Sequence, residues 1–335
     1  MPQPIPLISI VGTTATGKTD LALAVARAVT ASSFPRQFKQ CILISADSRQ
    51  VYQGIELLSG ADIPSDFTQV TDTARGPLPF WENGNGKIEL HGVSCISPLQ
   101  PWSAAHFTEF SRDLLQRAAA DNILPVVVGG TGFYHQQLLN PAPTQGIAPD
   151  PLLREQAVQL SVPALQKQLA DLAPEVFAGM NNSDAHNKRR LVRAIEVASA
   201  QKGATEILVN SNNYDLLAIG LTDTPDNLSQ RITKRVAARL DQSVLTEVAL
   251  FMQQYPQHPE PVWTATGLAE IAAFLEGKVT KETCIAAWTL REIQYAKRQL
   301  VWWKKRENIT WFSMNTPDAH SLALQQSIDW LTESK

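Results

Sequence analysis

Leu7-Ile-Ser-Ile-Val-Gly-Thr-Thr-Ala-Thr-Gly-Lys-Thr19, running on into Asp20-Leu-Ala-Leu-Ala-Val-Ala26, is the stretch that decides the fold. An apolar run of strand length leads into a turn that matches Gly-x-x-x-x-Gly-Lys-[Ser/Thr], and a helical pattern leaves it, so the turn sits between a strand and a helix as its chemistry requires. Gly12 and Gly17 let the backbone turn its N–H groups inward, and the positive end of the helix dipole favours an anion there. Gly12, Thr13, Thr14, Ala15, Thr16, Gly17, Lys18 and Thr19 are therefore the candidate phosphate-binding residues. Lys18 would reach the terminal phosphates as a point charge, and the Thr19 hydroxyl is the candidate ligand of a Mg2+ ion bridging them. The flanking strand and helix patterns set this loop apart from a chance Gly-rich turn.

The whole chain has 335 residues, enough for two domains or for one with a sizeable insertion. Its composition, 44% hydrophobic and 18% charged, is that of a soluble globular protein. No apolar run approaches the roughly 20 residues of a membrane span, and the N-terminal Met-Pro-Gln-Pro-Ile lacks the basic region of a signal peptide. A cytoplasmic protein without a membrane partner is expected, and a monomer. Cys41, Cys95 and Cys284 are far apart, with no CxxC partner or His pair, which argues against a zinc site or a disulfide framework. They read as ordinary half-buried residues. A net charge of −3 carries no global polyanion-binding signature. Any contact with nucleic acid must come from local patches.

After a loop at Ser32, Ser33, Phe34 and Pro35, the apolar run Cys41-Ile-Leu-Ile-Ser45 reads as a buried parallel strand and delivers Ala46-Asp-Ser-Arg-Gln50. Residues just past the carboxyl end of such a strand face the ligand crevice. Asp47 lies at that spot, where it could cap the short helix that follows or could hold Mg2+ or handle a proton. The polar company of Ser48, Arg49 and Gln50 favours the second role. Residues 59 to 102 are weakly determined, with a tight hairpin turn expected at Trp81 to Lys87. A helix should run from Ser103, its cap, towards Ala120. A third parallel strand, Ile123 to Val128, then ends in Gly129-Gly-Thr131 without a metal-holding carboxylate. Gly129 and Gly130 could serve ligand approach or close packing, and the Thr131 hydroxyl is a candidate third contact in the crevice.

From about Asp150 to Ala204 the pattern is helical, with breaks at Pro163, Pro174 and Gly203, and it reads as an inserted subdomain. Arg189, Arg190 and Arg193 place a cationic cluster on one helical face, although a charge run is more often a solvated face. A further strand from Tyr214 leads through Thr224 and Asp226 into a helix carrying Arg231, Arg235 and Arg239 on one stripe. Arg291, Lys297, Arg298, Lys304, Lys305 and Arg306 are expected in a C-terminal helix together with Tyr295, Trp302 and Trp303, aromatics read as packing residues rather than base platforms. The fold expected is α/β: a P-loop NTPase-like parallel sheet flanked by helices, with an inserted all-helical subdomain. Its parts would be a core over 1–145, the insert over 146–208, and the rest of the core over 209–335.

Gly12 to Thr19, Ile44-Ser-Ala-Asp-Ser-Arg-Gln-Val-Tyr52, Val128-Gly-Gly-Thr-Gly132, Arg189-Arg-Leu-Val-Arg-Ala-Ile-Glu-Val197 and Gln294-Tyr-Ala-Lys-Arg-Gln299 stand in the order and approximate spacing of bacterial tRNA dimethylallyltransferases. The chain resembles that family over nearly its full length. The resemblance implies transfer of a dimethylallyl group from dimethylallyl diphosphate to N6 of the adenosine 3′-adjacent to the anticodon, with diphosphate released. It implies tRNA, through its anticodon loop, as the partner, and Asp47, Lys18 and Thr131 as catalytic residues, with Asp47 the base. It also puts Thr14 to Thr19 on the prenyl diphosphate, and Asp47, Ser48, Arg49, Gln50, Thr131, Arg154, Arg189, Arg190, Leu191, Val192 and Arg193 against tRNA. Such chemistry needs the target adenine flipped out of the anticodon stack. Three segments depart from the family pattern: Ser59-Gly-Ala-Asp62 lacks its Lys, Ala265-Thr-Gly-Leu-Ala-Glu270 replaces Ala-Ile-Gly-Tyr-Lys-Glu, and Glu292-Ile293 stands for Thr-Arg. The other readings are an adenylate isopentenyltransferase, a weakly active tRNA-binding homologue and a P-loop small-molecule kinase.

Overall fold

In a computed structural model of the chain, residues 4–31, 33–34, 38–201, 214–241 and 243–333 are described. The expected features at Ser32, Pro35, Gly203 and the 208/209 boundary lie outside them. Eight strands form one sheet: β1 (Ile5–Gly12), β2 (Cys41–Ser45), β3 (Phe67–Val70), β4 (Phe80–Asn83), β5 (Ile88–His91), β6 (Leu124–Val128), β7 (Tyr214–Thr222) and β8 (Thr310–Ser313). They lie in the order β3-β4-β5-β2-β6-β1-β7-β8. From β5 to β8 every pairing is parallel, while β4 runs antiparallel between β3 and β5. The fold is thus mixed α/β with a mainly parallel sheet flanked by helices.

The central strands are apolar on both faces because helices cover both. Alternation along β1 sends Ile8 and Ile10 into one buried cluster with Leu21, Ala22 and Val25 of the helix Lys18–Val29. Ser9 faces the other way, and its hydroxyl lies 2.9 Å from Nδ1 of the buried His135. A second cluster is built by the helices Pro225–Asp241, Val244–Gln254, Leu268–Leu275 and Lys281–Trp303 around Trp288.

The weakly determined region is a sheet extension. Its turn is tighter than expected, at residues 84–87, because Trp81, Glu82 and Asn83 belong to β4. The Asn83 Oδ1 accepts from the amides of Lys87 and Ile88 and closes the hairpin. Behind it, the fully buried Glu89 of β5 accepts from Arg75, Arg117 and His91. Two other expectations change. The C-terminal helix stops at Trp303, so Lys304 caps it and Lys305 and Arg306 lie beyond. The three cysteines are free and fully buried rather than half-buried.

The chain divides into two compact units, Met1–Leu138 with Asn213–Lys335, and Leu139–Asn212. The second contains the helices Pro151–Gln159, Val162–Leu172, Pro174–Ala178, Asn182–Ala185 and Lys188–Gln201. It begins at Leu139 rather than 146 because Arg193 ties the preceding turn to the last helix, donating to the carbonyls of Thr144 and Ile147. Pro163 and Pro174 sit in first helical turns, where their missing N–H costs nothing.

Candidate active site

A crevice of about 600 Å³ opens where β1, β2 and β6 end. It lies wholly within the sheet-bearing unit, in the volume range of small-molecule sites. On its floor the chain leaves β1 at Gly12, whose φ of 135° and contact with the Leu221 carbonyl admit no Cβ. Gly17, at φ 79°, then starts the helix Lys18–Val29 with no side-chain cap, so the helix presents bare N–H groups to the crevice. The Lys18 amine folds back on the Thr13 carbonyl at 2.5 Å, and Thr16 also donates to that carbonyl. Lys18 is lowered to about 8, by burial first and then by the charge of Arg235, against the opposing pull of Asp47 and Asp62. Lys18 and Arg235 are like charges lining one crevice, and an anion bound between them would relieve their repulsion.

Asp47 follows β2 on the opposite wall. The capping reading holds for the turn: Oδ1 accepts from the amides of Arg49, at 2.8 Å, and Gln50, at 3.3 Å. The same side chain lines the crevice. Arg49 reaches across to the Thr264 hydroxyl at 2.7 Å, and Gln50 is pinned between Ser45 and the Gly60 carbonyl. Thr19 lines the crevice, as do Ser48 and the Asp20 and Asp62 carboxylates. No group of three acidic, His or Cys side chains that could cage a metal exists among the described residues. The donor set of one hydroxyl and scattered carboxylates fits Mg2+ held mainly by phosphate oxygens and water.

At the end of β6 the glycines serve close packing. Gly129 lies against the Ala46 backbone and Gly130 against the Gln299 side chain, each so close that a Cβ would collide. Thr131 is not in the crevice lining: its amide donates to the Ala46 carbonyl, and its buried hydroxyl has no hydrogen-bond partner among the described residues. Tyr295, which does line the crevice, is pushed far up by burial and next by the charge of Asp47, so it stays a neutral donor.

Most of the third wall comes from basic helical stripes that the sequence marks but does not assign to the site. Arg231, Lys234 and Arg235 line it from the helix Pro225–Asp241, and Arg291, Glu292, Tyr295, Arg298 and Gln299 from Lys281–Trp303. Arg235 donates to the Thr14 hydroxyl at 2.5 Å and to Glu292 at 3.0 Å. Arg239, the third member of that stripe, is buried beneath, on the Leu58 carbonyl at 2.9 Å. The i, i+4 spacing of these arginines was a readable signal of one shared face. Which way the face pointed was not readable.

In the helical unit the basic stretch splits. Leu191 and Val192, at 0% and 8% exposure, are core residues packed with Leu165, Leu169 and Ile195, which corrects their placement against tRNA. Amphipathic periodicity turns those two positions inward. Arg154 and Arg193 both pair with the buried Glu196, at 2.7 and 3.0 Å. Arg190 pairs with Asp184. Arg189 is exposed. None of the helices among the described residues is long and apolar enough to cross a membrane.

A mainly parallel sheet flanked by helices, with a glycine-rich strand-to-helix loop and the Asp47 carboxylate lining one crevice at the strand ends, defines the α/β class of enzyme fold. Residues 82–306 match the family model described as IPP transferase. A tRNA dimethylallyltransferase of Picosynechococcus sp. is 29% identical over 335 residues, covering 98% of this chain and 99% of that protein. The crystal structure of the full-length tRNA isopentenylpyrophosphate transferase from Bacillus halodurans superposes with a TM-score of 0.61 at 25% identity, covering 98% of this chain and 99% of that one. A eukaryotic dimethylallyltransferase crystallised acting on tRNA gives a TM-score of 0.75 at 21% identity, covering 99% and 80%, a likeness of fold. The chain belongs to the IPP transferase family.

Proposed function

We propose that this crevice transfers a dimethylallyl group from dimethylallyl diphosphate to N6 of the adenosine 3′-adjacent to the anticodon of tRNA. The observation that carries the reading is the opposition, within one crevice, of an uncapped phosphate loop bearing Lys18 and the Asp47 carboxylate. The amides at the helix head, Lys18 and Arg235 would hold the diphosphate and stabilise the charge that grows on it as the allylic C–O bond breaks. Thr19 and the diphosphate oxygens would hold Mg2+, which supplies further neutralisation of that leaving group. The free oxygen of Asp47 would orient the N6 amine and take its proton as the new C–N bond forms. Atoms balance as prenylated adenosine, diphosphate and one proton.

The adenine must leave the anticodon stack to reach Asp47, at a cost of a few kcal/mol met by contacts to the loop. Ser48, Arg49 and Gln50 would supply such contacts at the crevice wall, and Arg189 in the helical unit would add a phosphate contact. Tyr295, which lines the crevice within the field of Asp47, would add a hydroxyl beside the chemistry. Incubation with radiolabelled dimethylallyl diphosphate and unmodified tRNA, followed by digestion to nucleosides, should place the label on N6-dimethylallyladenosine. Label that stays on diphosphate, or ATP consumed in its stead, would contradict the proposal.

A further inference from the structure

We infer that Gln299 is a positioning residue of the phosphate loop, seated in a slot that exists only because residue 130 is glycine. The inference rests on the reading of the crevice as a diphosphate site. Gln299 projects from the helix Lys281–Trp303 and is 6% exposed. Its Oε1 accepts the Thr14 amide at 2.8 Å, across 285 residues of sequence. A Cβ at Gly130 would collide with Gln299 Nε2, and the next atom beyond that side chain is the Gly12 carbonyl at 3.4 Å.

The consequence lies in how the loop distributes its donors. The Thr14 amide precedes the helix at the half-buried edge of the crevice; without the Gln299 acceptor it would turn towards another partner and take the loop with it. With Gln299 on its amide and Arg235 on its hydroxyl, Thr14 is fixed from two helices. The N–H groups at the helix head are then left converging on a single anion. Gln299 touches no reacting atom; it holds the shoulder of the loop so that others can.

Titration calorimetry with inorganic pyrophosphate and Mg2+ tests this. Gln299→Met keeps the volume but loses the acceptor, and it should weaken pyrophosphate binding about two- to tenfold, the range for a lost hydrogen bond. The KM for the prenyl diphosphate should rise alongside, with the KM for tRNA unchanged. Gly130→Ala displaces the flexible end of Gln299 and should produce a loss of similar size. Combined with Gln299→Ala, Gly130→Ala should add nothing, since the atom it displaces is gone. Wild-type affinity in Gln299→Met, losses that multiply in the double variant, or equal changes in both KM values would each overturn the inference. Wild-type protein that fails to take pyrophosphate would instead overturn the function proposed above, and this inference with it.

Discussion

Asp47 carries two duties on one carboxylate, and the two can be separated. Asp47→Asn keeps an acceptor for the Arg49 and Gln50 amides, so the turn should survive while the base is lost. Turnover should then fall by about 10² to 10⁴, the range for loss of a general base, with pyrophosphate affinity unchanged. Steady-state rates beside calorimetry check both halves. Lys18 makes a prediction about pH. With its amine lowered to about 8, kcat/KM for the prenyl diphosphate should fall as pH rises through about 8, because the neutral amine no longer attracts phosphate. Stability moves the other way. The folded state binds fewer protons than the unfolded one between that value and the ordinary 10.5, so the fold gains stability with rising pH in the window. A pH–rate profile, repeated on Lys18→Ala to confirm that the limb disappears, reads the first effect, and denaturant melts at pH 8 and 10 read the second.

At the scale of elements, the edge of the sheet depends on one carboxylate. Burial alone would raise Glu89, yet the bonds it accepts from Arg117, His91 and Arg75 outweigh burial and hold it far below the usual carboxylate range. The sign follows: the stability it contributes is complete above the unfolded value of 4.5 and is lost as pH falls below it. Glu89→Gln should therefore flatten the acid limb of a stability–pH curve, and Glu89→Ala should cost about 3–5 kcal/mol by stranding its arginine partners. Urea melts from pH 3 to 7 decide it. The same residue explains why this edge was hard to read. Ile88-Glu-Leu-His91 alternates like a half-exposed strand, but all four side chains are buried, and only the distant Arg75 and Arg117 make that tolerable. By contrast β1, β2 and β6 are continuous apolar runs, legible because both of their faces are covered. In the helical unit, Leu191→Ala removes a fully buried side chain and should cost about 2–5 kcal/mol, measurable as selective proteolysis between residues 139 and 212.

Over the whole molecule, the parts of the site that were legible are those formed by neighbours in sequence: the loop Gly12 to Thr19, and Asp47 with its polar cluster. What stayed hidden depends on partners far along the chain. Arg235 and Gln299 converge on Thr14 from 221 and 285 residues away, and no local pattern announces that meeting. Spacing marked Arg231, Arg235 and Arg239 as one face but could not tell a crevice wall from a solvated surface, and that Tyr295 lines the crevice was hidden for the same reason. The central claim is that the phosphate loop holds a departing diphosphate while Asp47 receives the proton from N6. A crystal structure with an unreactive prenyl diphosphate analogue and tRNA tests it most directly. The free Asp47 oxygen should lie about 2.6–3.2 Å from N6 of the extruded adenine, with the diphosphate on the Gly17 to Thr19 amides. An Asp47 carboxylate turned away from the base, or a diphosphate bound anywhere else, would contradict it.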